Sequence, residues 1–232
     1  MWDSRPRLSG EQSSTAFSCT IDTRAPMLNW LQIPLSELFA ILAAVAFAAG
    51  LNVYATVGVL GLLARFGHLS LPPSLQLLET WPIIAASLIL FVIEFFADKI
   101  PAFDLIWSGL HTFVRIPVAA LLAYGATRQL TPGEQLLAAL LGALIALAAH
   151  GGKTALRAAV TPSPEPFSNI SLSLGEDALA IALTWLATRH PYAAASTAFT
   201  LLLIIILLAR LVLRALRALF RGAQKEFADV FG

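Results

Sequence analysis

Apolar residues run along this chain in long blocks separated by short polar turns, with no alternation of the kind a strand needs. The blocks are Pro34–Phe66, Trp81–Ala97, Leu105–Tyr124, Gln135–Ala149, Phe167–Thr188 and a last one from about Ala194 that continues into a basic stretch ending near Arg221. A helix needs roughly 20 residues to cross a bilayer core, so these blocks predict about six membrane-spanning helices in preference to an outer-membrane barrel. Trp81, Trp107 and Tyr124 fall near block ends, where amphipathic rings prefer to lie.

The first block is longer than a straight span requires, and Gly50, Leu51 and Asn52 interrupt it. A polar Asn beside a Gly predicts a kinked or unwound point near Gly50–Asn52, against the simpler reading of one long tilted helix. If Leu51–Phe66 re-enters instead of crossing, the sidedness of the chain must be recounted. A second partly unwound segment is expected over Pro162–Gly175, because Pro162, Pro164 and Pro166 break regular helix and Asn169, Ser171, Ser173 and Gly175 follow.

Composition agrees with the pattern: 58% of residues are hydrophobic, 12% are charged and mean hydropathy is +0.77. The fold class is therefore an all-α integral membrane protein. Residues 1–31 form a polar tail without the apolar core of a signal peptide, 32–208 a polytopic transmembrane domain, and 209–232 a basic cytoplasmic helix and C-terminal tail. Met27, just before the first apolar block, is an alternative start. The single Cys19 excludes an internal disulfide or a cysteine metal cluster.

Two polar turns stand out. In the first, Glu94 and Asp98 lie four residues apart on one helix face, Lys99 and Asp104 follow, and His111 and Arg115 are four apart on the returning helix. Asp104 is expected to cap that returning helix. In the second, His150, Lys153 and Arg157 share a face of an extended fourth helix, and Glu176 and Asp177 lie on the return. Acids precede bases in one hairpin and follow them in the other, so acids of each can meet bases of its partner. Together with Asn169, these residues are the candidate polar network or substrate site, since ionisable groups at membrane depth cost about 2.5–3.5 kcal/mol each on insertion scales and mark ion or substrate paths.

Other chemistry is less specific. Gly151, Gly152, Lys153 and Thr154 lack the upstream glycine of a phosphate loop, because Leu147 stands there. Glu94, Asp98, Glu176 and Asp177 with His111 or His150 offer donors for a divalent cation, although no spacing is diagnostic of a metal. Lys99, Arg115, Lys153 and Arg157 offer an anion site. Arg210, Arg214, Arg217 and Arg221 are spaced to form one lipid-facing basic stripe, whose natural partners are the bilayer and its anionic head groups. No further cofactor and no nucleic-acid partner is expected; a homo-oligomer is compatible with the pattern.

The stretches GLNVYATVGVLGLLARFG, LPPSLQLLETWP, EFFADKIPAFD, HGGKTALRAAV and SNISLSLGED, in this order, resemble a family of bacterial-type integral membrane proteins known as domain of unknown function 4126. The likeness covers about residues 35–220 and leaves the N-terminal tail unexplained. It implies a polytopic helical protein and supplies no reaction. Six spans would put both termini on the face richer in Lys and Arg, cytoplasmic in a bacterial-type inner membrane. The leading functional expectation is a small transporter or lipid-handling protein. A membrane-embedded enzyme acting on a lipid phosphate and a structural scaffold are the alternatives.

Overall fold

The computed structural model describes residues 33–99, 101–160 and 166–231, so the expected tail and alternative start lie outside the described residues. Its elements are α1 (Leu35–Leu51), α2 (Val53–Arg65), a short 3-10 helix (Pro73–Glu79), α3 (Trp81–Ala97), α4 (Pro101–Ala126), α5 (Pro132–Val160), α6 (Pro166–Arg189) and α7 (Pro191–Phe231). No strand occurs among the described residues. Each helix from α3 onward carries Pro in its first turn, where the missing N–H has no helical partner to lose and φ is already suited.

α1 is the axis of the bundle. It bears almost no polar face, with Glu37 as its one charged residue, and it packs against α4, α5, α6 and α7 together. A helix that is apolar all round belongs in the middle. Close approach to α5 is set by Gly50: a Cβ there would lie 2.5 Å from the Ala146 carbonyl oxygen and 2.8 Å from the Ala149 Cβ.

The first apolar block is two helices, not one tilted helix. Asn52 between them is extended (φ −149°, ψ 104°), and α2 then runs back along α1. Three contacts fix that direction. Asn52 meets Asp177 and Thr56 meets Thr184, so α2 travels with α6, while Leu60 and Ala64 return to the cluster of Leu38, Ile41 and Leu42. Leu60 also lines, with Ile41, Leu42 and Val45, a small apolar cavity of about 30 Å³. α1 and α2 therefore form a hairpin whose tip is Asn52.

The remaining helices alternate in direction. Ser36 at the start of α1 hydrogen-bonds Tyr192 at the start of α7 (3.0 Å), and Ser74 after α2 donates to the Gly125 carbonyl near the end of α4 (2.6 Å). The start of α1, the end of α2, the start of α3, the ends of α4 and α6 and the start of α7 thus share one end of the bundle. Four helices, α4 to α7, are long and apolar enough to cross a membrane, and the 3-10 helix with α3, bent by 63°, makes up to five. The expected count of about six becomes four to five because α1 and α2 are 17 and 13 residues long and fold back on each other.

Two local expectations are corrected. Residues 166–175 are already regular helix, so the unwinding expected over Pro162–Gly175 does not reach past Pro166; residues 161–165 lie outside the described residues. Asp104 does not cap α4, which begins three residues earlier at Pro101. The last apolar block and the basic stretch form one continuous helix, α7, as expected.

The exterior is apolar. Leu136, Leu137, Leu140, Leu141, Leu144 and Leu147 cover the outside of α5, and Phe199, Leu203, Ile204, Leu207 and Leu208 that of α7. The interior holds the charges instead. That inversion is what a lipid solvent demands, and it makes this a membrane protein.

Candidate functional site

Every described charged residue of the two polar hairpins except Lys99 is buried. Glu94, Asp98, Arg115, Lys153, Arg157, Glu176 and Asp177 each expose 7% or less, and His111 and His150 likewise. They come from the end of α3, the middle of α4, the far part of α5 and the middle of α6. Arg115 lies eleven residues before the end of α4 and Asp177 twelve before the end of α6, roughly 17 and 18 Å of helix. The cluster is therefore at membrane depth.

The centre is Lys153. Its ammonium lies 3.3 Å from Asp98 Oδ2, 3.3 Å from Glu176 Oε2 and 3.8 Å from Glu94 Oε1. It also donates to the Leu51 carbonyl at 3.2 Å. That carbonyl is one of the unpaired acceptors at the end of α1, where the helix dipole favours a cation. Beside it, Arg157 bridges Asp98 Oδ2 (2.7 Å) and Glu176 Oε2 (2.6 Å). Acids of the first hairpin thus meet bases of the second, as the opposite order predicts.

The reciprocal half of that expectation differs. Arg115 pairs with Glu94 of its own hairpin, and its Nη1 lies 2.8 Å from His150 Nδ1. A guanidinium only donates, so Nδ1 must accept. Thr112 Oγ1, 2.7 Å from His150 Nε2, then receives the remaining ring proton. His150 is fixed as the neutral Nε2–H tautomer, and adding a proton to it would set two cations against each other.

Lys99 stands at the rim, half-buried, its ammonium donating to the Phe95 carbonyl (2.8 Å) and lying over the Phe95 ring. Partial burial pulls its pKa below the usual lysine value. His111 makes an edge-on contact with the Tyr54 ring, centroids 5.5 Å apart. The side chains of Asp104 and Asn169 lie outside the described residues.

Asn52, absent from the sequence-derived set, closes the network at the α1–α2 tip. Its Oδ1 accepts from the Ala55 N–H (2.9 Å) and caps α2, while its Nδ2 donates to Asp177 Oδ1 (2.8 Å). Thr56 Oγ1 donates to the Asn52 carbonyl at 2.9 Å. The one signal for this role was a polar residue beside Gly50 in an otherwise apolar run.

Among the described residues, four buried carboxylates (Glu94, Asp98, Glu176, Asp177) face three buried cations (Arg115, Lys153, Arg157), with half-buried Lys99 at the rim. Among the described residues, five buried side-chain atoms have no hydrogen-bond partner: Glu94 Oε2, Arg115 Nε, Ser173 Oγ, Glu176 Oε1 and Asp177 Oδ2. Among the described residues no three His, Cys, Asp or Glu side chains group so as to hold a metal ion. Glu94, Asp98 and Glu176 point at ammonium and guanidinium groups instead.

Comparison with known proteins adds the family alone. No curated protein and no solved structure matches the chain. The model of a domain of unknown function, DUF4126, matches residues 39–211, which include the α1–α2 tip and every charged residue of the buried network. The chain belongs to the DUF4126 family.

Proposed function

We propose that this protein is a small membrane carrier in which the buried ion network, closed by the tip of the α1–α2 hairpin, binds a proton or small cation. The observation that carries this reading is the coupling of an interrupted helix to a charge cluster at membrane depth. Helix breaks that offer a carbonyl and a cap to ions are a recurrent device of transporters. A positive cargo is favoured over an anion because, among the described residues, each of Arg115, Lys153 and Arg157 is already engaged by a carboxylate. Acid–base catalysis on a lipid phosphate gains no support from His150, whose ring nitrogens are both committed.

Sidedness is part of the proposal. The network end carries Lys99, Lys153, Arg157, Arg210, Arg214 and Arg217, against Arg65, Arg128 and Arg189 at the other end. By the positive-inside rule the network opens toward the cytoplasm. With α1–α2 re-entrant and five crossings, the start of α1 would lie on the opposite side from the end of α7. Arg210 and Arg214, with Leu207, Leu208 and Leu211, form an exposed basic and apolar stretch of α7 suited to an anionic lipid head group and its chain.

Proteoliposomes with an internal pH-sensitive dye and a potassium diffusion potential test the carrier. Wild type is expected to pass protons down the potential, and Asp98→Asn and Arg157→Gln each to lose at least about tenfold, or ~1.4 kcal/mol in barrier. Flux unchanged in both variants would leave the network as a scaffold that pins helices together, the reading its dense pairing otherwise favours.

A further inference from the structure

We infer that Lys153 is the tethered occupant of an ammonium site: four oxygens from α1, α3 and α6 form a cage for one primary ammonium group, and α5 fills it with its own side chain. This deepens the carrier reading, on which its transport consequence rests. A metal cation would find these oxygens taken, which leaves the proton as the exchangeable cargo.

The oxygens around Lys153 are the set an ion site offers, beyond what a single ion pair needs. Lys153 Nζ donates to the Leu51 carbonyl at 3.2 Å and to Asp98 Oδ2 at 3.3 Å, and Glu176 Oε2 and Glu94 Oε1 lie 3.3 and 3.8 Å away. The Lys153 and Glu94 side chains are wholly buried, and those of Asp98 and Glu176 nearly so. A helix-end carbonyl beside carboxylates is how a broken helix holds a cation. The spacings suit an N–H donor, whereas magnesium and calcium draw their oxygens in to about 2.0–2.6 Å.

The cage does not depend on the amine for its shape. Arg157 Nη2 holds the same Asp98 and Glu176 oxygens at 2.7 and 2.6 Å, so α3 and α6 stay joined without Lys153. Arg115 pairs with Glu94. The Leu51 carbonyl is placed by the reversal at Asn52, whose cap on α2 is a separate contact. On α5, Gly152 sets the backbone from which Lys153 reaches in: a Cβ there would lie 2.6 Å from Ile205 Cδ1 of α7. A lysine fits this role because its charge is a compact point, while the planar fork of arginine serves the bridging position beside it.

Lys153→Ala deletes the atoms of an n-propylammonium ion and leaves the oxygens in place, so that ion is the probe. In the full chain in lipid nanodiscs, propylammonium chloride is expected to raise the melting temperature of Lys153→Ala saturably, by about 3–6 °C at roughly ten times its Kd. Sodium, potassium and tetramethylammonium chlorides at equal ionic strength should not, and wild type should respond to none of the four. Equal stabilisation of Lys153→Ala by sodium or potassium, stabilisation of wild type by propylammonium, or no response of the folded variant would overturn the assignment. If Lys153→Ala does not fold, solid-state NMR decides on a chain in which Lys99→Arg and Lys225→Arg leave Lys153 as the sole lysine. Its ¹⁵Nζ should be a charged ammonium close to carboxyl carbons of both ¹³C-labelled aspartate and ¹³C-labelled glutamate; a neutral amine, or proximity to neither, would refute the site. Neither experiment reads flux, so the ammonium site and the carrier fail separately.

Discussion

Asn52→Ala is the sharpest perturbation of this architecture, because one side chain caps α2, holds Asp177 and sits where the chain reverses. Asn52 is fully buried. Losing the cap to the Ala55 N–H costs about 1 kcal/mol. Losing the donor to Asp177 Oδ1 leaves a second unpartnered oxygen on a buried carboxyl group, about 1–3 kcal/mol more. The sum, roughly 2–4 kcal/mol, corresponds to a melting temperature lower by on the order of 4–16 °C for a chain of this size. Tryptophan fluorescence during heating of the detergent-purified protein measures it. Asn52→Asp is the informative companion: it keeps the cap acceptor but sets two carboxyl groups side by side. Two such groups need a shared proton, so that variant should lose stability as pH rises. A fall of less than about 2 °C in Asn52→Ala would refute the view that this residue organises the tip.

Three further outcomes are expected. Gly50→Ala should abolish monodisperse protein or lower its melting temperature strongly, since its Cβ would meet α5 backbone at 2.5 Å, whereas Gly151→Ala, with nothing within 4 Å of its Cβ, should be neutral or slightly stabilising in the same assay. In a Cys19→Ser background, Leu35→Cys and His68→Cys should react with an impermeant maleimide from one side and Arg214→Cys from the other; a six-crossing chain would separate Leu35→Cys from His68→Cys. Replacing Arg210, Arg214 and Arg217 by Gln should cut retention of phosphatidylglycerol relative to phosphatidylcholine in native mass spectrometry, by about 1 kcal/mol per arginine near the head groups, and equal retention would remove the lipid-contact reading of α7.

What could be read before the structure, and what could not, follows from the physics each pattern encodes. Block length and composition report burial in lipid, so the helices after residue 80 start within about four residues of the apolar blocks, whereas α5 and α7 run on past Ala149 and Arg221 to Val160 and Phe231. Charge order along two hairpins reports pairing across them, and Asp98 does meet Lys153 and Arg157. Hydropathy carries no direction, however, and α1 and α2 form one apolar run in which a single extended residue reverses the path. Neutral polar side chains were equally silent: Thr112 and Thr184 look like ordinary helix residues until tertiary contact gives them His150 and Thr56. Arg115 returns to Glu94 because both hairpin arms cross the same depth beside α5, where His150 already occupies the guanidinium's second edge. The reversal at Asn52 matters most for function. It carries the end of one helix dipole and the start of another to the charge cluster, so displacing the tip would remove Lys153's carbonyl and Asp177's amide in one movement. In the proposed carrier, cargo release and helix movement would thereby be the same event, which a rigid scaffold would not require.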